Sequence, residues 1–168
     1  MRDIICNTSP LQYLSQLDLL HVLRTLAGRV IVPPAVMQEL TEGRALGVNL
    51  PDLSKEEWLL VRRPVSQQAS ALVSNLGSGE TEVLMLGLES RNAVVVLDDA
   101  MARRVAQALG LALTGTLGLL LDAKRAGLVQ AVGPLLDQLQ ALRFRVAAHT
   151  REAVLKLAGE ASVQGPHT

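Results

Sequence analysis

Short apolar runs alternate along this chain with longer stretches of helical period. Ile4-Ile5-Cys6, Val30-Ile31-Val32, Trp58-Leu59-Leu60-Val61, Ala93-Val94-Val95-Val96-Leu97 and Leu111-Ala112-Leu113 are the runs. Consecutive rather than alternating apolar positions fit strands buried on both faces of a parallel sheet. Trp58–Val61, stopped by Arg62-Arg63-Pro64, reads as an edge strand, and the 93–97 run as the central one. Between them, Leu11, Leu14 and Leu17 fall at helical spacing, followed by Leu19, Leu20, Val22, Leu23 and Leu26. Further helices are predicted over 35–42, 66–76, 80–89, 100–109, 117–126, 134–142 and 151–159. Ser9 with Pro10 suits a helix start, Asp18 is a second cap candidate, and Thr150 caps the last helix. Gly28, Gly43, Gly110 and Gly127 suit helix ends. Residues 44–57 read as loop, 144–146 as a short extended piece, and the tail from Ser162 as frayed. Strands alternating with helices predict an α/β fold: a three-layer α/β/α sandwich with a short, mainly parallel sheet. With no repeat or linker, one domain over 1–160 is expected, with a tail over 161–168.

The polar positions gather where these elements end. Asp98 and Asp99 follow the 93–97 run at once, at the carboxyl end of a strand, where open α/β sheets bind ligands. Adjacent like charges cost free energy unless a cation or donors stand close. The plain alternative is that one Asp caps the next helix while the other is solvated. Asn7 follows the first strand. Glu39 lies a little over one turn past Pro34. Glu80 and Glu82 open a helix after the break Gly77-Ser78-Gly79, where the helix dipole by itself favours carboxylates. These groups come from four well-separated segments. Oxygen ligands of this kind suit Mg²⁺ or Mn²⁺, and such an ion can polarise a phosphodiester oxygen and ionise water at neutral pH.

Composition narrows the choices. With 168 residues, 49% of them hydrophobic, the chain can bury a sizeable core and is not disordered. No apolar run is long enough to span a membrane, and the start resembles no secretory signal. The single cysteine, Cys6, excludes an internal disulfide, reads as a small buried hydrophobe, and points to the cytoplasm. Sixteen basic residues balance sixteen acidic ones, so no global field attracts nucleic acid. Scarce aromatics argue against an aromatic base-stacking platform. Arg103, Arg104 and Lys124, with Arg62, Arg63 and Arg125, could line a phosphate path; paired basic residues on exposed helix faces are more often simply solvated. His21 and His149 have no neighbouring imidazole or thiol, which argues against zinc. Gly77-Ser78-Gly79 and Gly115-Thr116-Leu117-Gly118 fit neither a dinucleotide fingerprint nor a phosphate-cradling lysine loop, and no serine-hydrolase elbow is present.

Taken together, Asn7-Thr8-Ser9-Pro10-Leu11, Val32-Pro33-Pro34-Ala35-Val36 with Glu39, Gly77-Ser78-Gly79-Glu80-Thr81-Glu82, Leu97-Asp98-Asp99-Ala100 with Ala102-Arg103, and Gly115-Thr116-Leu117-Gly118 with Ala123-Lys124 resemble the PIN-domain nucleases. Within these, the likeness is to a bacterial and archaeal PIN-like subgroup of unknown function related to VapC-type toxins. It covers roughly residues 3 to 158, in the family's order. The resemblance implies acidic residues around Mg²⁺ or Mn²⁺ and metal-dependent cleavage of RNA. Many members are toxins of toxin–antitoxin pairs and dimerise, so a small antitoxin and a second copy are implied partners. By motif, Glu39, Glu80 and Asp98 or Asp99 match the catalytic acids. Asn7, Glu80, Asp98 and Asp99 match the metal positions, and Thr8, Ser9, Glu82 and Thr116 are supporting groups. Asn7 departs from the pattern, because that position is usually Asp in catalytic members. Its neutral carbonyl removes one negative charge, which weakens ion binding. A catalytically impaired PIN fold that binds RNA or a protein is therefore the alternative. A phosphoacceptor domain is disfavoured, because its acidic pair follows the first strand.

Overall fold

Strands β1 (Asp3–Cys6), β2 (Val30–Val32), β3 (Leu59–Val61), β4 (Ala93–Val96) and β5 (Leu113–Thr114) pair in parallel, in the order β3-β2-β1-β4-β5. The computed structural model describes residues 1–66 and 75–161. The helix predicted over 66–76 falls mostly on 67–74, outside the described residues, as does the tail from Ser162. The α/β class and the short parallel sheet follow the sequence pattern, and β3 is indeed an edge strand. The centre, however, is β1; β4 lies beside it. Every residue of β2 and all of β1 beyond Asp3 are buried, whereas Leu60 and Val61 of β3 are exposed. An apolar run marks burial, but not which of two buried strands is the middle one.

Strand order reverses between β1 and β4, the switch point at which parallel sheets open a crevice. The register pairs Cys6 with Val96. Asn7 and Leu97 therefore leave the sheet side by side, and the Asn7 amide donates to the Val96 carbonyl at 3.2 Å.

Among the described residues there are eight helices: α1 (Thr8–Gln16), α2 (Val22–Leu26), α3 (Pro34–Ala45), α4 (Ser78–Glu89), α5 (Ala100–Ala108), α6 (Thr116–Arg125), α7 (Gly133–Ala141) and α8 (Ala148–Leu157). None is long and apolar enough to cross a membrane. Several boundaries differ from the sequence expectation. α1 begins at Thr8, so Ser9 lies inside it, and Thr150 lies inside α8. α3 runs through Gly43 and stops at Gly47, whose φ is +83°. Asp18, at φ +58°, closes α1 instead of capping the next helix. Residues 111–112 and 144–146 form no strand. The chain divides into two compact units, Met1–Thr116, which holds the whole sheet, and Leu117 onward.

Candidate functional site

The first unit collects the expected polar groups beyond the carboxyl ends of β1 and β4 and along the starts of α1, α3, α4 and α5. Asn7 is 6% exposed, and its side-chain Oδ1 has no hydrogen-bond partner among the described residues. An oxygen buried this way costs about 1–3 kcal/mol unless a ligand satisfies it. Asn7 does not cap α1 with its side chain, so no local structural task explains the amide.

Asp98 is held most completely. Its Oδ1 accepts from the Thr116 amide at 2.8 Å, and its Oδ2 accepts from the Thr116 hydroxyl at 2.7 Å and the Ser9 hydroxyl at 2.9 Å. Thr116 is fully buried. This carboxylate ties the end of β4 to the starts of α1 and α6. Gly115 makes room for it: a Cβ there would stand 2.9 Å from both Asp98 Oδ1 and an Arg103 guanidinium nitrogen. Asp99 is the N-cap of α5, with Oδ2 accepting from the Ala102 amide at 2.9 Å. The cap alternative is correct for Asp99, whereas Asp98 is bound rather than merely solvated.

Glu39 and Glu80 complete the set. Glu39 Oε2 accepts from the Thr8 hydroxyl at 2.5 Å, and Oε1 from the Gly79 amide at 3.0 Å. Glu80 Oε2 accepts from the Gly77 amide at 3.0 Å. Burial pushes the Glu80 carboxyl above its ordinary pKa; the Gly77 hydrogen bond opposes this, and the charges of Asp99 and Glu39 add to it. Among the described residues, Glu80 thus feels two other carboxylates and meets one hydrogen-bond donor. Glu82 is engaged elsewhere: its Oε2 accepts from the Ala35 amide at 2.7 Å and satisfies an open donor in the first turn of α3.

Sequence reasoning missed the backbone donors. Gly77 and Gly79 read as a break, yet their amides hold Glu80 and Glu39. A Cβ on Gly79 would approach both Glu39 carboxylate oxygens to 2.7 Å, so any larger residue there would displace the Glu39 carboxylate from its present position. A glycine-rich break just before an acid-bearing helix was the available signal. The basic candidates are partly committed. Arg103 donates to the Leu97 carbonyl at 2.9 Å, and exposed Arg104 reaches the Ala100 carbonyl at 3.4 Å. Lys124, in the second unit, is held by the Ala158 carbonyl at 2.6 Å and by Glu160 at 2.7 Å.

The PIN-domain sequence profile matches residues 3–160. The chain belongs to the PIN-domain family. A comparison with curated proteins finds no match. PIN domains are a nuclease-type fold, generally dependent on a divalent metal, and the family points to interaction with RNA. The donor set of this PIN domain suits such an ion in kind: amide and carboxylate oxygens are hard ligands, and Asn7 Oδ1 is an orphaned acceptor. Among the described residues, no three His, Cys, Asp or Glu side chains are drawn together as a ready-made cluster. Asp99 and Glu39 are near enough to Glu80 to disfavour its charge, and each of these acids accepts hydrogen bonds of its own.

Proposed function

We propose that this PIN domain is an Mg²⁺- or Mn²⁺-dependent endoribonuclease, acting as the toxin half of a toxin–antitoxin pair. The observation that carries this reading is Glu80, whose charge is disfavoured by burial and by Asp99 and Glu39. A cation relieves that repulsion. Asn7, Glu80, Asp99 and Asp98 would hold it, with Glu39 at the edge of the set. A bound divalent ion supplies the charge that polarises a phosphodiester oxygen and lowers the pKa of a water. The chain's own groups prepare for this. Thr8 and Gly79 orient Glu39, Gly77 orients Glu80, and the Ser9 and Thr116 hydroxyls fix Asp98. Residence in the cytoplasm, a small antitoxin and a homodimer belong to the same proposal, on family grounds.

The test is RNA cleavage with and without Mn²⁺, in the parent and in Glu80→Gln. Cleavage should need the ion and fall at least about 100-fold in the variant, in line with the loss of one transition-state electrostatic contact. Cleavage indifferent to both chelator and variant would refute the reading. Neutral Asn7 favours a second possibility, an impaired site on a PIN fold that binds RNA or protein without cutting. Asn7→Asp separates the two: cleavage gained from a silent parent supports the second, whereas cleavage by the parent supports the first.

A further inference from the structure

Six helices close with the same pair of backbone bonds, in which the third residue past the helix reaches the carbonyl five positions back and the residue before it reaches three back. This closure places its penultimate residue at positive φ. Four of the six use glycine there: Gly47, Gly110, Gly127 and Gly159. The exceptions are Asp18, at φ +58°, and Arg143, at φ +68°. Aspartate visits this region at modest cost, but arginine has no such preference. A chain that uses glycine at four equivalent turns keeps a long cation at the fifth.

Arg143 follows α7 and lines an open cleft with Gln140, Phe144, Arg145, Val146 and Ala147, of about 580 Å³. Arg143 and Arg145 are both exposed, and among the described residues neither is in an ion pair. Asp137, one turn before the end of α7, is paired with Arg151 at 2.8 Å rather than with either cleft arginine. Guanidinium binds phosphate through paired hydrogen bonds, and the cleft has room for a nucleotide.

We propose that this cleft is an RNA-binding site in which Arg143 and Arg145 take backbone phosphates, and that Arg143 occupies strained backbone for this reason. The choice of RNA as ligand rests on the function proposed above; the anion site rests on the geometry. Arg143→Gly is the informative variant, because glycine relieves the backbone while removing the cation. Binding of a fluorescent single-stranded RNA is measured with chelator present, so that no cleavage intervenes. The parent should bind. Arg143→Gly and Arg145→Ala should each weaken binding by about three- to tenfold near 0.1 M salt and lower the salt slope by about 0.7. At the same time Arg143→Gly should melt no lower than the parent, and up to about 3 °C higher. Unchanged affinity in both variants would overturn the proposal, as would a lower melting temperature for Arg143→Gly. Binding lost in the variants of a parent that cuts no RNA would uphold this site and refute the nuclease reading. Cleavage with unaltered binding would do the reverse.

Discussion

Two glutamates in this chain occupy opposite electrostatic situations. Glu80, in the first unit, is half-buried, meets one backbone donor, and stands close to two like charges; its pKa is raised. Glu160, in the second unit, accepts from the Lys124 ammonium and from the Val132 and Gly133 amides, and these partners hold its pKa down to about 2. Glu160 closes the open start of α7 and needs nothing further. Glu80 is short of positive charge. The difference distinguishes an acid used to hold the fold from one left available to a ligand. Asp98 shares both features: Thr116 and Ser9 hold its oxygens, and it stands at the strand end where the ion is proposed to bind.

The contrast can be broken by substitution, and the largest effect is expected at Asp98. Asp98→Ala strands the buried Thr116 hydroxyl and amide and frees Ser9, at a cost of about 3 kcal/mol. Thermal melting should then drop by roughly 6–12 °C. A melt within 2 °C of the parent would show that the clasp contributes little. Next, Glu160→Gln should cost about 1–2 kcal/mol by weakening a charge-assisted set of bonds. The pH dependence has a definite sign. A depressed carboxyl stabilises the folded state above its ordinary value of 4.5, and that stability is lost as pH falls toward about 2. Denaturant titrations between those limits should show the parent losing stability and the variant staying flatter. Equal pH profiles would contradict the assignment.

Glu80→Gln should change stability least, by about 0.5 kcal/mol or less at neutral pH, and in the stabilising direction. A raised carboxyl favours the folded state only while protonated, so that contribution fades as pH rises through its folded pKa. The same variant should abolish a Mn²⁺-induced rise in melting temperature that the parent displays. A Mn²⁺ shift that survives the change would mean that the ion, if bound, sits elsewhere. Asn7→Asp should sharpen the contrast further, because it adds a negative charge to the proposed set of Glu80, Asp98, Asp99 and Glu39. Without metal its melt should fall by about 2 °C, and with Mn²⁺ its shift should exceed the parent's.

What the sequence carried by itself was local in origin. Apolar runs marked β1, β2 and β4, because burial on both faces forbids polar residues at consecutive positions; the runs at edge β3 and at β5 overlap strands that are only partly buried. Gly110 and Gly127 marked helix ends because a turn at positive φ is specified within six residues. The strand-end position of Asp98 and Asp99, the helix start of Glu80 and the place of Glu39 a little over one turn into its helix were legible for the same reason. What each acid does was settled only by folding. Ser9 meets Asp98 across 89 positions and Gly79 meets Glu39 across 40, separations over which no local pattern constrains the pairing. A carboxylate's role depends on which donors arrive beside it, and the chain crossings that deliver them exist only in the tertiary structure.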